Sequence, residues 1–250
     1  MKKITKELPS LRKSVRIIGD LISDEKYDLP LAVMNELLDY KDTLEDFDLA
    51  ISELKEDLID SGAYNEDYIE KTIQEILDDN KPCLELIINS GGGDVTEGFA
   101  IIDIIKELQD VYGVQVNTHA IGSCASMAVA LYMTGDIRTA GDNVVFMLHQ
   151  IKGGAVGSQN KIESTIQYMN ILNKQYKRMF KGTRITEQEL DEILTHDKDH
   201  YFDIDEARKW GIVNDDDIID SLVEVLTEAA ENEDSEIEEE TVDIKEVDAE

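Results

Sequence analysis

The sequence predicts an α/β domain, and three observations point to it. Short apolar runs with strand character alternate with longer segments of helical period through the middle of the chain. Turns of glycine and other small residues punctuate that alternation, at Gly91-Gly92-Gly93 and from Gly122 to Ser126. With 250 residues, 42% of them hydrophobic, the chain is long enough to enclose one sizeable core.

Taken in order, residues 1–14 form an N-terminal segment, and Val15 to Ile18 read as a short strand closed by a turn at Gly19. From Pro30 to Tyr40 the apolar residues Leu31, Val33, Met34, Leu37 and Leu38 have helical spacing. Residues 42–80 are charged and helical in period. Leu44, Phe47, Ile51, Leu54 and Leu58 mark one amphipathic helix, and Tyr68, Ile69, Ile73, Ile76 and Leu77 mark a second, with a break at Ser61-Gly62-Ala63.

Cys83 to Ile88 has the continuous apolar character of a buried strand and runs into Asn89-Ser90-Gly91-Gly92-Gly93-Asp94. A helix is expected from Val95 to Leu108, a strand from Val114 to Ile121, and an apolar helix from Met127 to Thr134. Asp136 to Ala140 reads as a turn and short strand, and Val144 to His149 as a further strand. Beyond the glycine-containing segment Ile151 to Gly157, periodicity predicts a long helix from Gln159 to about Lys181. Thr186 with Glu189 three residues later is a capping box opening another helix. Asp205 to Trp210 supplies a helical turn stopped by Gly211. From Thr227 to Glu250 there are twelve acids and one lysine, a composition that predicts a disordered acidic tail.

The charge balance narrows the possible partners. Fifty-six acidic residues against 24 basic ones give a formal net charge of -32. Such a surface repels phosphate backbones and anionic lipids, so neither nucleic acid nor membrane is expected as a partner. Solubility alone is an equally good reading of the acidity. Cys83 and Cys124 provide neither a disulfide framework nor metal-ligand spacing, which fits a reducing compartment. The basic start Met1-Lys2-Lys3-Ile4-Thr5-Lys6 lacks the apolar run of a secretory signal, and cytoplasm is the expected location.

Three features bear on chemistry. Ser126 lies at a strand-to-helix junction among small residues, where the free N–H groups of a helix start stabilise a developing oxyanion. A packing turn has the same appearance. The bare backbone of Gly91-Gly92-Gly93 lets N–H groups face a ligand, or else makes a tight turn, and neither phosphate-loop fingerprint is present. His149 closes a strand at the edge where α/β sheets commonly place their sites, although a lone histidine there is often structural. His196 and His200 sit in a charged loop, no histidine pair has zinc-ligand spacing with a carboxylate motif, and neither metal nor cofactor is expected. Cys124 is a rival nucleophile by position, but reads better as a small buried residue.

Together these segments carry a resemblance. Ile88 to Ile101, Gly122 to Ala128, Met147 to Gln150 with Gly153, Gly154 and Gly157, and Asp197 to Phe202 followed by Glu206-Ala207 and Trp210 to Val213 are similar, in this order, to the motifs of the ClpP-type serine peptidases. The resemblance implies a crotonase-like fold of repeated ββα units over residues 15–226, with residues 42–80 as a charged helical insertion and 227–250 as the tail. It implies Ser126 as nucleophile, His149 as general base and Asp199 as the residue that orients the imidazole, with Asp197 and Asp203 as competing carboxylates. It further implies an oxyanion hole from the N–H groups of Gly93 and Met127. Substrate would be held as an added strand by Gly92, Gly93, Asp94, Val95, Gln150 and Ile151.

The family also implies heptameric rings stacked as a tetradecamer through the Gln159 to Lys181 helix and the Gly153 segment, fed with polypeptide by a AAA+ unfoldase. Gly91 stands where the family usually has proline, Asp94 where serine is frequent, and Lys198 where an arginine is expected. A looser oxyanion loop would follow from Gly91. The rival readings are a phage-type maturation protease acting on a capsid or scaffold precursor, a non-catalytic ring subunit, and an acyl-CoA-binding crotonase relative.

Overall fold

A computed structural model describes residues 8–22 and 28–215. The described residues up to Val213 make one compact unit, and the acidic tail expected at 227–250 lies outside the described residues. The unit is a mixed α/β structure. Its strands are β1 (Arg12–Ile18), β2 (Cys83–Ser90), β3 (Gln115–Ala125), β4 (Ile137–Ala140), β5 (Val145–Leu148) and β6 (His200–Phe202). Its helices are α1 (Leu29–Asp60), α2 (Glu66–Asp79), α3 (Val95–Tyr112), α4 (Met127–Tyr132), α5 (Gln159–Arg178), α6 (Glu187–Thr195) and α7 (Ile204–Trp210).

The sheet runs β1-β2-β3-β5-β6, with β4 also paired to β3. All pairings are parallel except β5 with β6, which is antiparallel. Strand β3 serves two partners in succession. Its first part, Asn117 to Ala120, pairs with β4, and its last, Ser123 to Ala125, pairs with β5. The exchange falls at Gly122, whose φ of 63° lies in the left-handed region and is cheap only for glycine. The Asn89 side chain secures the irregularity by accepting from the N–H of Ser123 at 3.1 Å. The expected turn over Gly122–Ser126 is therefore largely strand, continuous with β3.

Two helices expected on either side of Lys41 are one. Leu37, Tyr40, Leu44, Phe47, Ile51, Leu54 and Leu58 are all buried, and their alternating spacing of three and four carries a single apolar stripe through the charged stretch. The break expected at Ser61–Ala63 is present, with Gly62 at φ 59°. The charged stretch thus sends its apolar side chains into the same core as Val15, Leu86 and Val116. Helix α5 stops at Arg178, three residues short of Lys181. The capping box of Thr186 and Glu189 is formed as expected. Strand β6, short and flanked by charges, has no periodic signal in the sequence.

An aromatic cluster fixes the last strand. Phe146 of β5 stacks on Phe202 of β6 with centroids 5.3 Å apart, and Phe202 meets Trp210 of α7 edge-on at 5.1 Å. In the ladder Phe146 faces Phe202, Met147 faces Tyr201 and Leu148 faces His200. The next rung, one step beyond the strands, would bring His149 opposite Asp199. Among the described residues no helix is long and apolar enough to cross a membrane, and no group of three or more His, Cys, Asp or Glu could hold a metal ion.

Candidate active site

The C-terminal ends of β2, β3 and β5 meet at one edge of the sheet, where open α/β sheets bind ligands. From β3 comes Ser126, the N-cap of α4, at φ 53° and ψ -123°. Among the described residues it is the one non-glycine with positive φ. A conformation of this kind costs about 1–3 kcal/mol and persists only where its surroundings impose it. Here the Ser126 N–H donates to the Met147 carbonyl at 2.7 Å, and its own carbonyl accepts from Tyr176 at 2.8 Å and Val129 at 3.0 Å.

From β5 comes His149, whose Nε2 lies 2.7 Å from Ser126 Oγ. Its Nδ1 lies 3.2 Å from Asp199 Oδ1, at ion-pair distance, although the buried Nδ1 is not aligned for a hydrogen bond to that oxygen. Ser126, His149 and Asp199, the three residues named from the motifs, are therefore brought together at one edge of the sheet. The Asp199 carboxyl is held below the usual carboxylate range, first by the Lys152 ammonium and then by His149. Of the competing carboxylates, Asp203 caps α7 by accepting from Glu206 N at 3.0 Å, and Asp197 is exposed in the preceding loop.

The glycine loop beyond β2 is tied down by Leu21. The Leu21 N–H donates to the Gly92 carbonyl at 2.6 Å, and the Asp94 N–H donates to the Leu21 carbonyl at 2.7 Å. These bonds leave the N–H of Gly93, like that of Met127, without an acceptor among the described residues. Gly92, at φ 98°, lies flat against Ser126 and Met127: a Cβ there would come 2.7 Å from the Ser126 Cβ. Gly91 sits under Asp20, whose Oδ1 a Cβ would approach to 2.8 Å. The loosening expected from the absent proline is opposed by the two Leu21 bonds.

A cavity of about 240 Å³ opens over these groups, lined by Gly93, Val95, Ser126, Met127, His149 and Ile151 among others. Gly92, Asp94 and Gln150, also named for substrate contact, do not line it. Asp94 is engaged elsewhere: its carboxylate caps α3, accepting from the N–H groups of Thr96 at 2.8 Å and Glu97 at 3.0 Å. The Thr96 hydroxyl donates to the same carboxylate and is the main reason its acidity is raised. The extended path after Gly93 is thus one residue long before α3 begins, whereas the chain after His149 stays free of helix and strand to Ser158.

Two lining residues escaped the sequence reading. Tyr176, in α5, is 50 residues from Ser126, and nothing in its helical pattern distinguishes it from a core tyrosine. Lys152 is only three residues beyond His149, but its partner Asp199 is 47 residues away. Cys124 is fully buried, and burial pushes its thiol up, which disfavours a thiolate at this position.

The arrangement holds a hydroxyl against an imidazole, an imidazole against a carboxylate, and two free N–H groups beside the hydroxyl. This is equipment for acyl transfer. The family model of Clp protease matches residues 51–222. An ATP-dependent Clp protease proteolytic subunit from Pleurastrum terricola is 32% identical over 161 residues, which is 61% of this chain and 79% of that protein. The match begins inside α1 and takes in every strand from β2 onward, with the whole sheet edge just described, and on that footing the chain belongs to the Clp protease family and is a peptidase of the ClpP type.

Proposed function

We propose that this protein is a serine endopeptidase that cleaves unfolded polypeptides or short peptides, with Ser126 as nucleophile, His149 as general base and Asp199 as its orienting carboxylate. The observation that carries the reading is the 2.7 Å approach of Ser126 Oγ to His149 Nε2, with Ser126 held at a strained φ of 53°. Ser126 Oγ attacks the scissile carbonyl carbon as His149 Nε2 takes its proton. The oxygen that becomes negative is met by the N–H groups of Gly93 and Met127. Collapse expels the amine, protonated by His149, and water then hydrolyses the acyl-enzyme by the same proton route. Tyr176 supports the turn from behind and, with its hydroxyl pushed strongly up by burial, stays protonated throughout the working range.

The substrate backbone lies along Gly93 and along residues 150–156, which belong to no helix or strand. A chamber of two stacked heptameric rings, fed by a AAA+ unfoldase, fits the family and the surface of α5. Only Leu172 and Tyr176 of that helix are buried, whereas Ile162, Ile166, Tyr168 and Ile171 are 40–54% exposed. Gly153 rests on the Met169 side chain of α5, so the segment after His149 and the helix present one surface. Two free cysteines fit a reducing, cytoplasm-type compartment.

The test is labelling by a fluorophosphonate, with the adduct located by peptide mass. Wild type is expected to label at Ser126, and Ser126→Ala and His149→Ala to lose the adduct. An assembled wild-type oligomer that does not label would overturn the reading.

A further inference from the structure

Asp199 Oδ1 has two partners. His149 Nδ1 lies 3.2 Å away and Lys152 Nζ 3.1 Å away, on the same oxygen. Among the described residues nothing else bonds or pairs with this carboxylate. The histidine contact is misaligned, so the carboxylate's one well-formed hydrogen bond comes from Lys152. Asp199 also has no strand of its own to fix it: β6 starts at the next residue, and the Asp199 side chain is 35% exposed. A carboxylate in that position has free rotation about two bonds unless a partner stops it.

We infer that Lys152 is a positioning residue of the active site, which holds the carboxylate of Asp199 beside His149 by bonding the oxygen that His149 approaches. The inference rests on the triad reading proposed above. Three features of the chain make the contact possible. The residue directly follows Ile151, which lines the cavity, and Lys152 lines it too. The loop it occupies carries neither strand nor helix, so a long, flexible stem can reach across to the β6 side. The ladder of β5 with β6 brings the two chain segments side by side, one step past Leu148 and His200.

The consequences differ from those of an ordinary surface ion pair. An ammonium on Oδ1 keeps that oxygen weakly basic, so the proton on Nδ1 stays with the imidazole when Ser126 is deprotonated. It also offsets part of the carboxylate's attraction for an imidazolium. Removing it would leave the carboxylate mobile, lowering the rate, and unshared, making the protonated histidine easier to form. The charged groups facing Asp199 are Lys152 from the loop after β5 and His149 from the end of β5. Its chain neighbours Lys198 and His200 line a different cavity of about 320 Å³ with Glu189 and Glu192 of α6.

The experiment compares wild type, Lys152→Met, Lys152→Arg, Asp199→Asn and the Lys152→Met/Asp199→Asn double variant as full-length assembled protein. Fluorophosphonate labelling rates and peptide kcat and KM are followed across pH. Lys152→Met is expected to lower kcat and the labelling rate by about tenfold with KM unchanged. Its acid limb should move up by about half a pH unit, and Lys152→Arg should restore both. In the Asp199→Asn background the Lys152→Met loss should vanish, because the group it positions is gone.

A loss that persists in that background, or one confined to KM, would mean that Lys152 acts on substrate or assembly and would overturn the inference. Equal rates and unmoved acid limbs would overturn it as well. Failure of wild type to label overturns the triad reading and this inference with it, whereas labelling of wild type with no Lys152 effect overturns this inference alone.

Discussion

The hydroxyl of Tyr176 donates to the carbonyl oxygen of Ser126 at 2.8 Å, joining the last turn of helix α5 to the turn that carries Ser126. The same carbonyl accepts from Val129 at 3.0 Å, so the tyrosine adds a second bond to an oxygen already satisfied within α4. Its contribution is therefore orientation more than satisfaction. Tyr176→Phe is expected to unfold about 1 kcal/mol more easily in urea and to label with a fluorophosphonate several-fold more slowly. An unchanged labelling rate would make the bond a packing detail.

Glycines 91 and 93 should respond very differently to alanine. A Cβ on Gly93, at φ 144°, would overlap the Leu21 main chain, which cannot move without releasing the loop. Gly93→Ala is expected to cost about 3 kcal/mol and to abolish labelling. A Cβ on Gly91 would meet the Asp20 carboxylate, a side-chain end that can turn away. Gly91→Ala should therefore keep most of the activity, with a stability change of about 1 kcal/mol or less. Thermal unfolding beside labelling distinguishes the two, and equal damage at both positions would contradict this account of the loop.

The Asp199 carboxyl is depressed below its ordinary 3.8 by Lys152 and then by His149. A depressed carboxyl contributes stability that is complete above its unfolded value and is lost as pH falls through the lower, folded one. The pair should accordingly remain intact through the mildly acidic range and fail only below about pH 4. Asp199→Asn is expected to lower kcat by about 10²–10⁴ with the fold retained, and to remove the part of the acid unfolding transition that lies below pH 4. Comparison of acid unfolding curves for wild type and variant checks this, and coincident curves would count against a structural charge at this position.

Thiol chemistry separates the two cysteines. Burial raises both thiols, Cys124 much further than the partly exposed Cys83. Iodoacetamide at pH 8 should leave activity unchanged and modify Cys124 only after unfolding. Rapid native alkylation of Cys124 with loss of activity would revive the thiol as a candidate nucleophile.

The strand-helix alternation, the long helix α5 and the capping box of α6 could be read from local pattern, because periodicity and caps depend on neighbours three or four residues away. So could Ser126 and His149, which sit at punctuation points where strands end. The merger of the first helices into α1 was hidden because the charges around Lys41 mask a stripe that only burial against the sheet reveals. Strand β6 was hidden because three residues carry no period; the aromatic stack of Phe146, Phe202 and Trp210 holds it.

By itself the sequence determined the residues proposed for acyl transfer as candidates, their order along the chain and the class of fold that would gather them. Tertiary structure decided what each of them touches. It set Ser126 at its strained φ, assigned the Asp94 side chain to capping α3, and seated Tyr176 and Lys152 at the site from helices and loops whose patterns are silent about it. The reason is physical. Local pattern is governed by backbone geometry over one or two turns, whereas a hydrogen bond between residues 47 or 50 positions apart exists only once the sheet has brought their segments together.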